Sequence, residues 1–427
     1  MVKYEQKGET KIQALIIVIV VIIAAGVAGF WYMTSMQKPK VEEVKVGVVM
    51  PLSGPVAEYA LHSRRMVEML FEEYNAKGGV KSLGGAKLVP VWADDKGNPS
   101  TAVSEVERLI TVEKVSVIFG AFTSGSTLAI APICEKYGVP LVVMTAFSEK
   151  ITRQGYKYVF RSHVTTTPYI NSMMDFIIKK LKPKTIAHVY EDSVWGSTNA
   201  EITKKWLENN APDVEIVLWE GYSRKPPIDL TALVLKIKEA KPDVLICSSY
   251  LQDAIVLMKT MYELDCYVPN IVAIGAGFTD PKFIQEVDKL ASGVFVACYA
   301  NYDNPRVNAQ EVIKAFYNKY GYWPTGDALA TAQDFQVLVD AIERAASTDP
   351  KDIYEALKNT NIPEEEGVLY PVKFDENGDN VYAFSYVTQI QKNDKGELEW
   401  FTVWPEDYAT RSIITPLLPY EDRLKDP

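Results

Sequence analysis

Six stretches of this 427-residue chain join small hydroxyl or glycine residues to an aromatic ring and run straight into a helical pattern. They are Pro51 to Tyr59 (PLSGPVAEY), Gly120 to Thr127 (GAFTSGST), Thr145 to Thr152 (TAFSEKIT), Glu191 to Gly196 (EDSVWG), Ser249 to Asp253 (SYLQD) and Gly275 to Asp280 (GAGFTD). Free backbone amides at a helix start, together with a Ser or Thr hydroxyl, hold an anionic group such as a carboxylate. The rings of Tyr59, Phe122, Phe147, Trp195, Tyr250 and Phe278 can wall an apolar moiety or cover a cation. Taken singly, each hydroxyl is a helix cap and each ring is loop packing. Taken together, they describe one pocket for a small polar molecule.

Covalent chemistry is poorly provided for. The chain has three histidines, His62, His163 and His188, and no H-E-x-x-H, G-x-S-x-G or P-loop pattern. The neighbouring acids Asp94-Asp95 and Glu191-Asp192 read as solvated loop carboxylates, and Gly275-Ala276-Gly277 has Asp280 where a dinucleotide loop needs its third glycine. The expectation is a binding protein, not an enzyme, with no metal or cofactor.

These stretches have to be positioned by strands and helices. Candidate strands are Val44–Met50, Lys87–Ala93, Val115–Phe119, Pro140–Met144, Thr185–Tyr190, Val214–Trp219, Asp243–Ser248 and Asn270–Ile274, each with adjacent apolar residues, as when both sheet faces are covered. Between them run amphipathic stretches: Val56–Ala76, Ser100–Thr111, Ser126–Tyr137, Pro168–Lys180, Gly196–Asn209, Leu230–Ala240 and Gln252–Leu264. Such alternation builds parallel sheets with right-handed crossovers, and the six stretches fall at the carboxyl ends of strands, where open sheets bind ligands. Two further helices, Asn308–Tyr320 and Gly326–Ala346, precede a strand-rich tail over Val368–Phe374 and Val381–Gln391.

Length alone calls for two lobes. The formal net charge of −10 argues against nucleic acid as a partner, since phosphate binding needs clustered Lys and Arg. Cys134, Cys247, Cys266 and Cys298 show no metal-site spacing and read as small buried residues, although a disulfide among them stays open.

The compartment is written at the N-terminus. After a tail of residues 1–11, Ile12 to Met33 carries no charge and at helical rise extends ~33 Å, enough to cross a bilayer core. Its apolar run is long for a cleaved signal and fits a retained anchor better. The flanking lysines are nearly balanced and leave orientation open. Lys7 to Leu15 (KGETKIQAL) resembles type IV prepilin-like signals, which are cut before the apolar stretch, here after Gly8. Residues 34–43 read as a polar linker. The expected location is outside the cytoplasm, with the membrane held through the N-terminal segment.

In order along the chain, KVGVVMPLSGPVAEYA, NAKGGV, DDKGNPSTAV, GAFTSGST, ITRQGYKYVFR, YEDSVWG, FDENGD and VWPEDYAT resemble the leucine/isoleucine/valine-binding proteins, from about Val44 to about Pro416. The resemblance implies an α/β fold of two doubly wound parallel-sheet lobes joined by three hinge strands, the type I periplasmic binding protein architecture. The lobes would be residues 44–163 with 297–369 and residues 164–296 with 370–427. It implies a solute-binding protein that closes on a small-molecule ligand, a small polar carboxylate-bearing solute with a branched-chain or other amino acid foremost, and delivers it to ABC permease subunits. A ligand-sensing co-receptor is the alternative use of the same clamp. A receptor should continue through the membrane into a signalling domain, and no second apolar span follows residue 43.

Carried over position by position, the resemblance makes Ser124 the holder of a ligand carboxylate, with Phe122 and Thr123 beside it. Tyr59, Thr145, Phe147, Trp195 and Tyr250 complete the pocket, and Ala276 joins them from the loop after Asn270–Ile274. Two departures matter. Phe147 stands where a threonine is usual. The loop around Ala276 lacks the glutamate that pairs with an amino acid's ammonium group. Asp253, Asp192 or Asp280 would have to replace it, or cation–π contacts from Trp195 and Tyr250 would have to help; otherwise the ligand is not an α-amino acid, and carboxylates, aromatic acids, amides and urea-like compounds are open.

Overall fold

The computed structural model describes Ile23 and residues 41–425, and the chain divides into two units, residues 1–42 and 43–427. The expected anchor at residues 12–33 and most of the linker therefore lie outside the described residues. Among the described residues no helix is long and apolar enough to cross a membrane. The second unit holds both of the large sheets.

The first sheet contains β1 (Glu43–Met50), β2 (Lys87–Asp94), β3 (Val117–Gly120), β4 (Leu141–Val142) and β5 (Val159–Phe160) in the order β2-β1-β3-β4-β5, and every pairing is parallel. The second contains β6 (Thr185–Glu191), β7 (Glu215–Tyr222), β8 (Val244–Ser248), β9 (Ile271–Ile274) and β10 (Phe295–Cys298). Past a small pair, β11 (Asn361–Ile362) and β12 (Val372–Lys373), it gains β13 (Tyr386–Lys392) and β14 (Leu398–Trp404). Its order is β14-β13-β10-β9-β8-β6-β7, and the last two strands to join run antiparallel. The inner strands are buried on both faces, which is why β3 (VIFG), β8 (VLICS) and β9 (IVAI) read as unbroken apolar runs.

Helices cover the sheets: α1 (Ala57–Ala76), α2 (Pro99–Arg108), α3 (Ser124–Tyr137), α4 (Thr166–Phe176), α5 (Val194–Asn210), α6 (Thr231–Ala240), α7 (Leu251–Glu263), α8 (Pro281–Val287), α9 (Val307–Tyr320), α10 (Gly326–Ala345), α11 (Pro350–Lys358) and α12 (Tyr420–Lys425). Their ends follow local chemistry. Asn98 caps α2, whose first residue is Pro99. Thr123 caps α3, which stops at Gly138 in the left-handed region at φ 65°. Two helices expected to run on to Thr111 and Lys180 instead widen into π turns at Leu109–Glu113 and Ile177–Leu181. Each then closes on a left-handed lysine, Lys114 or Lys182.

The chain passes between the two layers three times: after β5, after β10 and before β13. Charged side chains tie two of these passages. Arg161 is fully buried and donates to Asp379 Oδ1 at 2.8 and 3.0 Å, to the Ala146 and Ser148 carbonyls, and to Thr152 Oγ1. His163 meets Asp334 at 3.0 Å, and Asn380 donates to the Ser162 carbonyl at 2.9 Å. With its polar valences this fully used, the network fixes where one layer leaves off and the other begins. Two apolar clusters flank it, one around Ile118, Ala131 and Leu141 and the other around Leu245, Met258 and Phe283. The four cysteines are free and buried.

Candidate functional site

The carboxyl ends of the two sheets face each other across a cleft, and several helices begin there. Each start is set locally. Ser193 accepts from the Trp195 amide at 3.2 Å and opens α5. Tyr250 opens α7, with Asp253 reaching back to the Tyr250 amide at 3.1 Å. Thr325 accepts from the Ala328 amide at 3.3 Å and opens α10. Short turns of this kind deliver side chains into the cleft with little backbone freedom.

At the bottom of the cleft is a cavity of about 30 Å³. One layer contributes Tyr59 from α1, Phe122 and Ser124 at the start of α3, the Thr145–Phe147 loop after β4, and Asp327 in the first turn of α10. The other contributes Tyr169 on α4, Trp195 on α5, Tyr250 before α7, and Gly275 and Ala276 after β9. Tyr299, following β10, completes the lining.

Of the nine residues expected at the site, Tyr59, Phe122, Ser124, Thr145, Phe147, Trp195, Tyr250 and Ala276 are brought together here. Thr123 is not among the lining residues; its hydroxyl accepts from the Ser126 amide at 3.3 Å as the α3 cap. Phe278 is fully buried against Phe283, 4.7 Å between ring centres, and belongs to the core.

The rings form a continuous wall. Centre to centre, Phe122 lies 5.5 Å from Tyr59, Tyr59 6.1 Å from Tyr250, and Tyr250 4.9 Å from Trp195. Trp195 is 6.2 Å from Phe147, which is 4.9 Å from Tyr169 and 5.6 Å from Tyr299. These spacings and tilts suit edge-to-face aromatic contact. A space of about 30 Å³ admits a few waters at most. The cleft is narrow at this point, and a larger solute enters as rings or layers part.

Two loops reach the cavity in unusual backbone states. Thr145 has φ 57° and Ala276 φ 46°, left-handed values that a residue with a Cβ adopts at a cost of about 1–3 kcal/mol. Thr145 is held by its hydroxyl, which donates to the Phe122 carbonyl at 3.0 Å, and by Tyr299, whose hydroxyl donates to the Thr145 carbonyl at 2.5 Å.

Asp327 is the one charged residue lining the cavity. It accepts a hydrogen bond from the Tyr59 hydroxyl. Burial pushes its pKa up to about 6, against relief from that hydrogen bond and from its own backbone amide. The acids that sequence reasoning considers lie elsewhere. Asp253 accepts from Tyr222 and the Tyr250 amide behind the wall. Asp280 meets His62 at 3.2 Å and caps α8. Asp192 is exposed. Sequence reasoning misses Tyr169, Tyr299 and Asp327, because none of them sits in a loop that follows a recognisable strand. Asp327 does carry a signal, since Thr325-Gly326-Asp327 after Pro324 is a helix-start sequence.

A wider depression of about 420 Å³ lies between Glu149–Gln154 and one face of α5. Its rim carries exposed Lys150, Arg153, Glu201 and Lys205, so solvent reaches it freely. It lacks the convergent helix starts of the smaller cavity.

A family model described as periplasmic binding protein matches residues 43–396. The Leu/Ile/Val-binding protein homolog 7 of Brucella suis biovar 1 is 30% identical over 395 residues, covering 88% of this chain and 95% of the relative. Among solved structures, the branched-chain amino acid transporter substrate-binding protein LivJ of Streptococcus pneumoniae, in complex with isoleucine, superposes with a TM-score of 0.74. It is 23% identical and covers 85% of this chain and 100% of its own. A solute-binding protein of an ABC transporter from Rhodopseudomonas palustris BisB5, in complex with 3,4-dihydroxybenzoic acid, also gives 0.74, at 21% identity, covering 89% of this chain and 99% of its own. At these identities the two structures speak for the fold.

Proposed function

The chain belongs to the periplasmic binding protein family, and we propose that it captures a small, polar, carboxylate-bearing solute for an ABC-type importer. In this reading the solute sits between lobes formed by residues 44–163 with 297–369 and residues 164–296 with 370–427. It is bound outside the cytoplasm, and residues 12–33 tether the protein to the membrane. The observation that carries the reading is the cavity at the facing strand ends, where the α3 start and Ser124 meet an aromatic wall. Amides at a helix start favour a carboxylate, and the wall encloses the remainder of the solute.

A second reading keeps the clamp and changes the ligand. The rings of Phe147, Trp195 and Tyr250 suit an aromatic acid, and the Rhodopseudomonas protein of like fold was solved with one. Branched-chain amino acids are favoured by the names of the curated relatives.

A thermal-shift screen of the full-length chain separates the two. Amino acids, aromatic and aliphatic carboxylates, amides and urea-like compounds would be compared at high concentration. A ligand at a hundred times its dissociation constant adds ~2.7 kcal/mol and raises the melting temperature. Stabilisation by at least one class supports capture, and no stabilisation by any class counts against it.

A further inference from the structure

We propose that Asp327 is the counter-charge for an alkylated ammonium group, and that the solute taken by this cleft is a betaine-like or methylated-amine compound. The inference rests on the solute-binding reading above and names its ligand class.

Four buried carboxylates elsewhere in the chain each meet a cationic or protonatable side chain: Asp280 meets His62 at 3.2 Å, Asp334 His163 at 3.0 Å, Asp379 Arg161 at 2.8 Å, and Glu191 Arg224 at 3.1 Å. Asp327 does not. Its side-chain partner is the Tyr59 hydroxyl, and among the described residues no Lys, Arg or His nitrogen comes within the 4.0 Å of an ion pair. A buried carboxylate without a cationic partner is unfavourable, and a cation in the same cavity relieves it.

The surroundings fit a cation of a particular kind. A primary ammonium has three N–H donors and needs acceptors for all of them. The carbonyls around the cavity each already accept a hydrogen bond, which leaves at most one lone pair apiece for an incoming N–H. Phe122 O accepts from Thr145, Thr145 O from Tyr299, Phe147 O from Thr166, Ala276 O from Thr279, and Ala297 O from Tyr169 and the Gly275 amide. Beside them the cavity offers one carboxylate, the Ser124 hydroxyl and the rings of Tyr59, Phe147, Trp195, Tyr299 and Tyr250, the last already carrying the Arg224 guanidinium 4.4 Å from its ring centre. Ring faces attract a positive charge without needing N–H donors, and methyl groups on nitrogen pack against them. The loop after β9 offers no second acid, since a Cβ on Gly277 would come within 2.3 Å of the Tyr250 carbonyl carbon. The α3 start with Ser124 then receives the solute's carboxylate, if it has one.

The test is calorimetric titration of the full-length chain with glycine betaine, choline, the neutral choline isostere 3,3-dimethylbutan-1-ol, L-leucine and 4-hydroxybenzoate. Glycine betaine or choline is expected to bind, with the neutral isostere weaker by about thirtyfold or more, the factor a desolvated cation–π site supplies. Asp327→Asn, which keeps an acceptor for Tyr59, should abolish that preference. Trp195→Leu should weaken the charged compound selectively while urea unfolding shows both variants folded. Tightest binding by L-leucine would overturn the alkylated-ammonium assignment and leave solute capture standing. So would tight 4-hydroxybenzoate binding that Asp327→Asn leaves unchanged. Failure of every compound, in wild type and variants alike, would overturn both readings.

Discussion

The Tyr59 hydroxyl donates to the Asp327 carboxylate, joining α1 to the first turn of α10 across 268 positions of sequence. Both groups line the same cavity, and both are shielded from water. This contact ties the stability of the cleft to a titrating group.

Asp327 has its pKa raised by burial from 3.8 to about 6. A carboxyl that is harder to ionise when folded binds its proton more tightly in the folded state. Folding is therefore favoured by acid between the two values, and stability falls as pH rises from about 4 to about 6, then levels. The swing is on the order of 3 kcal/mol. Asp327→Asn should remove it and leave the free protein more stable than wild type at pH 7. Melting temperatures of both proteins between pH 4 and 8 check this.

His188 gives the opposite slope. It is buried in β6, makes a 3.0 Å hydrogen bond with Ser248, and burial lowers its pKa from 6.5 to about 3. The stability it confers as a neutral ring is present above pH 6.5 and is lost progressively as pH falls towards 3, by roughly 4–5 kcal/mol in all. His188→Gln, unable to protonate, should flatten this part of the profile. The comparison is best made in the Asp327→Asn background, where one opposing slope is absent and that of Asp253, whose pKa burial raises to about 7, is common to both proteins.

The passage between layers should be the most sensitive part of the frame. Arg161→Met leaves Asp379 buried beside a single more distant cation, Arg153 at 3.6 Å. A loss of about 3–5 kcal/mol is expected, as when one partner of a buried pair is removed. Arg161→Met combined with Asp379→Leu should cost clearly less than the two single changes added together. Urea unfolding of the four proteins gives the comparison.

Contacts across the mouth of the cleft should matter much less. Glu58 pairs with Lys282 and accepts from Gln252 at 3.2 Å, yet both charged side chains are well exposed. Solvent screens such a pair, so Glu58→Gln should change solute affinity by less than about fivefold. A larger change in titration calorimetry would assign the closing free energy to the rim and away from the rings.

Most of the frame was legible because parallel strands buried on both faces leave unbroken apolar runs. β1, β2 and β6 to β9 lie within three residues of the expected bounds at each end. Pro140–Met144 shrinks to Leu141–Val142, because the chain turns at Thr145 into the cavity wall. β5 is a two-residue strand, too short to show a period, and β10 (FVAC) was not expected; with it unrecognised, Tyr299 just beyond it stays hidden. β14 (LEWFTVW) alternates weakly and was not expected as a strand. The site residues found from sequence are those that follow a strand and open a helix. Asp327 opens a helix that follows no strand, so its place in the cavity emerges only from the way α10 packs beside α1.

A solute held in this cleft must shield the helix starts that build it. Hydrogen–deuterium exchange on the full-length chain, with and without the most stabilising compound from the screen, reads this directly. Protection should appear together in residues 122–127, 145–148, 195–198, 250–253 and 326–329, which no single surface patch unites. Protection confined to the open depression between Glu149–Gln154 and α5, with these segments unchanged, would contradict capture in the cleft.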